Sequence, residues 1–129
     1  TITIQGAGAQ ESIIRSVISD RLIQISDGDL TLEGLTLQGG NAFFGGAISV
    51  TTDSSLHATD VIFRDNTSSG SGGAIFTLGT VTLNRVALID NAATGANSNG
   101  GAINVQGGAT TLTNVTVSGN TAGNEGGGV

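Results

Sequence analysis

The 129-residue chain has no cysteine, proline, methionine, tryptophan, tyrosine or lysine, and a single histidine, His57. Without cysteine there is no disulfide framework, no thiolate nucleophile and no cysteine-held zinc. One histidine and no lysine leave little for a histidine metal triad or a Schiff base. The four basic residues are all arginine and face ten acids, for a net charge of −6 and a pI near 4.2. Phosphate binding calls for a basic patch, so no nucleic-acid partner is expected. No apolar run approaches the roughly 18 residues of a membrane-spanning helix, and no basic-then-apolar signal peptide is present. What the chain does have is glycine, 22 residues of it, and a 37% hydrophobic content rich in Ile, Leu and Val. That content can bury a core, which argues against disorder.

Self-comparison exposes a period. A Gly-Gly-small-aliphatic unit recurs at Gly45-Gly46-Ala47-Ile48, Gly72-Gly73-Ala74-Ile75, Gly100-Gly101-Ala102-Ile103 and Gly126-Gly127-Gly128-Val129, at spacings of 27, 28 and 26 residues. Upstream of the last three lies an apolar-x-x-Asn unit: Phe63 to Asn66, Leu88 to Asn91 and Val117 to Asn120. The first unit has Leu37 and Gly40 at the matching positions. Further upstream, Leu32, Ala58, Leu83 and Leu112 form one column, and Leu35, Val61, Val86 and Val115 another. A fixed period of this length is the signature of a solenoid or array.

Within each unit the apolar residues alternate in steps of two, as in Leu30-Thr31-Leu32 and Leu35-Thr36-Leu37, which is the strand period. Glu33-Gly34 interrupts the alternation and predicts a bend. A third short strand is expected after each Gly-Gly unit, over 47–51, 74–78 and 102–106. Three strands and three corners in one period do not fit hairpins, which need two-residue turns at shorter spacing. The expectation is an all-β chain folded as a right-handed, single-stranded parallel β-helix. It would have about four to five coils of 25–29 residues, each strand stacking on its equivalent one coil later. Residues 41–44, 67–71, 92–99 and 121–125 vary in length and should project as loops.

Residues 30–129 carry the tandem repeats, and residues 1–29 read as an irregular lead-in to the same domain. Within that lead-in, Ile13, Ile14, Val17 and Ile18 fit either a capping helix over 10–19 or a coil strand at 12–14, with the flanking glycines favouring the strand. The chain starts at Thr1 and ends at Val129 directly after three glycines, which reads as a piece of a longer solenoid.

The pairing of Phe63-Arg64-Asp65-Asn66 with Gly72-Gly73-Ala74-Ile75 resembles the repeat of bacterial polymorphic outer membrane proteins. The resemblance covers residues 30–129. Departures are Leu88 and Val117 in place of the Phe and the missing Asn of the first unit. It implies a secreted or cell-surface bacterial β-helix, often adhesive, and brings no catalytic residues with it.

Several outward positions invite a functional reading. Asp65 and Asp90 share a column, and adjacent coils would set their carboxylates about 5 Å apart, which makes them the one Ca²⁺ candidate. No other cofactor is expected. Asp60 and Arg85 share a column beside Asn114 and should pair across coils. Thr31, His57, Thr82 and Thr111 form an outward ladder of the kind that orders water on ice-binding solenoids, interrupted by His57. Phe43 and Phe44 stand together in a projecting loop and are the candidate contact with a host-surface protein or glycan. Asn66, Asn91 and Asn120 fall at one corner and should stack as an amide ladder.

With no basic cluster to stabilise charge, no enzyme active site is expected. The leading expectation is a non-enzymatic structural or adhesive module of a secreted or cell-surface bacterial protein. Two alternatives are a fragment of a carbohydrate-active lyase- or hydrolase-like β-helix, and a filament subunit that self-associates through open coil ends.

Overall fold

The computed structural model describes residues 1–129. Its eighteen strands wind as five successive coils with no helix. The first coil holds β1 (Ile2–Gln5), β2 (Ile13–Arg15) and β3 (Ile23–Ile25). The second holds β4 (Gly28–Glu33), β5 (Thr36–Gln38), β6 (Asn41–Ala42) and β7 (Ile48–Val50). The third holds β8 (Ser54–Thr59), β9 (Ile62–Arg64), β10 (Thr67–Ser68) and β11 (Ile75–Thr77). The fourth holds β12 (Thr80–Asn84), β13 (Ala87–Ile89), β14 (Ala92–Ala93) and β15 (Ile103–Val105). The fifth holds β16 (Thr110–Thr113), β17 (Thr116–Ser118) and β18 (Thr121–Ala122).

Equivalent strands pair in parallel across coils, giving four sheets: β1-β4-β8-β12-β16, β2-β5-β9-β13-β17, β6-β10-β14-β18 and β3-β7-β11-β15. The chain is therefore a parallel β-solenoid. Three of the four sheets are those the repeat predicts. The third in this order is a two-residue sheet that sequence reasoning placed inside the projecting loops. Its strands begin directly after the Asn corner, where the turned backbone runs parallel to the coil below. Thr67, for example, pairs with both Asn41 and Ala92.

The register sets the core. Leu30, Leu56 and Val81 stack in one inward column, Leu32, Ala58, Leu83 and Leu112 in the next, and Leu37, Phe63, Leu88 and Val117 in another. The large side chains of the three middle coils are fully enclosed, with Leu32, Leu37, Leu56, Phe63, Leu83 and Leu88 at 0% exposure. Each fully buried side chain of this size is worth about 1.5–3 kcal/mol. Twenty buried apolar residues form one continuous cluster.

Two features of this region have local causes. Of the two readings of residues 10–19, the favoured coil strand is the one that forms, over Ile13–Arg15. Ile13 and Ile14 align with Thr36 and Leu37, and pairing to β5 satisfies a backbone that an isolated helical turn would leave open. Thr36, expected to face solvent, is 3% exposed because the segment before β2 arches over it. Its hydroxyl donates to the Ala9 carbonyl at 2.6 Å, and its N–H to the Ser12 carbonyl at 2.8 Å.

The corners share one backbone device. Gly34, Asp60, Arg85 and Asn114, one per coil, have φ of 60°, 54°, 52° and 52°. At the next corner Gly39, Asp65, Asp90 and Gly119 have φ of 71°, 53°, 53° and 68°. A single left-handed residue turns the chain sharply between two strands; Gly, Asn and Asp tolerate it best, and Arg85 adopts it in one coil. The Gly-Gly unit serves a second need, close approach: a Cβ on Gly73 would run into the Gly101 carbonyl oxygen of the next coil.

Candidate functional site

The three ladder asparagines sit on adjacent coils and close a continuous chain of amides. Asn66 Nδ2 donates to the Leu37 carbonyl at 3.1 Å and to Asn91 Oδ1 at 3.0 Å. Asn91 Nδ2 donates to the Phe63 carbonyl at 3.0 Å and to Asn120 Oδ1 at 2.9 Å. Asn120 Nδ2 donates to the Leu88 carbonyl at 2.8 Å. Each Oδ1 also accepts a backbone N–H from the preceding coil, from Gly40, Asn66 and Asn91 in turn. Asn66 and Asn91 are wholly buried. These residues hold the corner together, and the amides of Asn66 and Asn91 are closed to any ligand.

Asp65 and Asp90 occupy the left-handed corner one residue before the ladder, on neighbouring coils. The Asp65 carboxylate pairs with adjacent Arg64, Nε to Oδ2 at 3.2 Å, with both side chains about half exposed. No group of three or more His, Asp and Glu side chains gathers anywhere in the chain. The left-handed backbone gives the residue type at these positions a structural reason that does not involve a metal.

Asp60 and Arg85 form a bidentate pair, with Arg85 Nε and Nη2 donating to the two carboxylate oxygens at 2.7 Å each. The guanidinium holds Asp60 below the usual carboxylate range, and Asp60 in turn raises Arg85. Thr31, His57, Thr82 and Thr111 align in register, and Thr3 extends the column to the first coil. Beside that column the Ser55 hydroxyl donates to Asp29, with His57 Nε2 at 3.4 Å from the same Oγ. The Ser55 hydrogen bond is the main cause holding Asp29 below its ordinary pKa. Sequence spacing did not reveal this trio, because Asp29 and Ser55 meet only through the cross-coil register.

The most distinctive surface feature is aromatic. Of the four phenylalanines only Phe63 is in the core; the other three gather outside. Phe43 packs edge-to-face on Phe44, centroids 4.5 Å apart, and Phe44 stacks on Phe76 at 4.6 Å. Phe44 thus lies back over the outer face of the sheet that contains β11, while Phe43 remains 64% exposed. The loop backbone is held as well. Arg21 donates from Nη2 to the Phe44 carbonyl at 2.8 Å and from Nε to the Gly45 carbonyl at 3.2 Å. Gly70 makes the arrangement sterically feasible, since a Cβ there would lie 2.6 Å from the Phe43 carbonyl oxygen and 2.8 Å from the Phe44 ring. Phe76 was missed from sequence because its place beside Phe44 depends on how β11 aligns with β7. Its signal was its outward parity within Ile75-Phe76-Thr77.

The loops that follow β6, β10 and β14 stack on this side and line an open cleft of about 350 Å³. Phe43 and Phe44 form one wall, residues 69–71 the floor and residues 95–98 the far side. No charged side chain lines it.

Comparison with known proteins agrees with the repeat reading. Residues 60–78 match the Chlamydia polymorphic membrane protein repeat. That segment runs from the Asp60 corner through Phe63, Asn66 and the Gly72-Gly73-Ala74-Ile75 unit to Leu78, the same residues on which the resemblance rested. No curated protein and no solved structure matches the chain.

Proposed function

We propose that the chain is a non-enzymatic adhesive module of a cell-surface protein, with the solenoid acting as a rigid mount for the Phe43–Phe44 loop. The observation that carries this reading is Phe43 itself: a 64% exposed aromatic ring on a loop clamped by Arg21 and buttressed by Phe44 on Phe76. Exposing such a ring forgoes burial worth about 1.5–3 kcal/mol, so a partner surface is its physical rationale. The match of residues 60–78 to a repeat of polymorphic membrane proteins supports a place at the cell surface. The acidic exterior, with uncharged Thr, Ser and Asn along the sheets, suits an extracellular mount.

Beads coated with the purified chain should bind cultured epithelial cells above albumin-coated beads, and Phe43→Ala should return binding toward the albumin level. Equal binding by wild-type and albumin beads would overturn the reading. Antibodies against the chain should label intact producing cells, and labelling only after permeabilisation would overturn the surface assignment.

A further inference from the structure

The cleft beside Phe43 has the chemistry of a saccharide site, and we infer that its ligand is a neutral sugar, one or two pyranose rings stacked on Phe43. This deepens the adhesive reading and rests on it.

Three observations carry the inference. The first is the ring. Phe43 offers an exposed aromatic face, and its orientation is set by the edge-to-face contact with Phe44, which in turn is stacked on Phe76. The electron-rich face of a phenyl ring attracts the polarised C–H groups on the apolar side of a pyranose, and a ring already fixed loses little entropy on binding.

The second is the set of unspent polar groups on the floor and far side of the cleft. The Ser69 hydroxyl and the Asn97 side-chain amide make no hydrogen bond within the protein, and the backbone N–H groups of Ala96 and Asn97 donate to no backbone acceptor. Ser71 Oγ accepts from the Asn99 N–H at 3.0 Å and keeps its own proton to donate. Donors and acceptors are thus mixed along the floor and the far side, with an aromatic on the remaining wall, which is how sugar hydroxyls and a sugar's apolar face are read together.

The third is charge and size. The lining is uncharged, the net charge is −6, and the nearest arginine, Arg21, is committed to the Phe44 and Gly45 carbonyls and to Gln24. A sialylated or sulfated glycan would meet no counter-charge and a repelling field. At about 350 Å³ the cleft lies at the small end of ligand sites, which run from roughly 300 to 1,000 Å³. An apolar protein anchor would leave the unpaired Ser69 and Asn97 groups desolvated without partners, which opposes it.

The test uses the full chain displayed multivalently on a labelled carrier and applied to a printed array of neutral, sialylated and sulfated glycans. Neutral glycans should bind, Phe43→Ala should weaken that binding about tenfold or more, and Asn97→Ala should weaken it without altering the fold. Amide resonances of Ser69, Ala96 and Asn97 should move on titration with the best-binding neutral glycan. No binding to any neutral glycan, or wild-type binding by both variants, overturns the inference. The cell-binding assay separates the two proposals. Phe43-dependent adhesion that survives periodate destruction of surface sugars overturns the saccharide inference and leaves adhesion standing, with a protein as the partner. Array binding without adhesion to untreated cells overturns the adhesive reading alone.

Discussion

Asn91 lies at 0% exposure with both polar ends of its side chain saturated by neighbouring coils. Truncating it to alanine strips the Asn66 N–H of its acceptor, takes one of the two acceptors of Asn66 Nδ2, and removes a donor from the Phe63 carbonyl. Each buried group left unpaired costs about 1–3 kcal/mol, so Asn91→Ala should lower unfolding free energy by about 2–4 kcal/mol in urea titrations. Asn120→Ala, at the partly exposed last rung, should cost clearly less. Asp60 acts on a different scale. Its carboxyl is held below the ordinary 3.8 by Arg85. A depressed folded-state pKa adds stability above the unfolded value that fades as pH falls through the folded one. Acidification below about pH 4 should therefore erode wild-type stability slightly more than that of Asp60→Asn. Following the Asp60 carboxyl resonance by NMR checks the direction, and a midpoint at or above 3.8 would contradict it.

At the level of elements, a strand contributes according to its coil. Leu88 in β13 is enclosed above by Phe63 and below by Val117, whereas Leu112 in β16 is 39% exposed. Leu88→Ala should cost about 2–5 kcal/mol and Leu112→Ala less than half of that, since a cavity term arises only where packing is closed. β16 also contains the one buried side-chain oxygen without a partner, Thr110 Oγ1, which faces inward below Val81. Thr110→Val keeps the shape and removes the unpaired hydroxyl, so thermal unfolding should shift upward by the equivalent of about 1 kcal/mol. The loops behave oppositely to the strands. Their lengths differ among coils while the strand registers do not, which is why the aromatic cleft could be built there without disturbing the core.

Across the whole molecule, each coil touches only its neighbours, so stability accumulates along one axis. Exposure already shows the gradient: the middle coils enclose their columns, while Ile2, Leu112 and Val117 at the two ends are 38–66% exposed. Native-state hydrogen exchange should find the amides of β8, β9, β12 and β13 slowest, with protection falling toward β1 and β2 on one side and β16 to β18 on the other. Uniform protection along the chain would refute a solenoid that opens from its ends.

Alternating Leu30, Leu32, Leu35 and Leu37, repeated at a fixed period, determined the coil and its core columns from sequence alone, because side-chain parity in a strand is local. The amide corner was equally visible, since one polar residue at constant spacing among apolar columns has few other uses. The left-handed corners left a trace as well, in the Gly, Asp and Asn that share a column, though Arg85 disguised one of them. What the tertiary structure alone decided depends on register between coils. The two-residue sheet carries no pattern of its own and exists only because a neighbouring backbone lies beside it. Thr36 is buried by a distant loop, Asp29 meets Ser55 across two coils, and Phe76 joins Phe44 through the alignment of β11 with β7. Periodicity states which way a residue faces; only the stacked coils settle what it faces there.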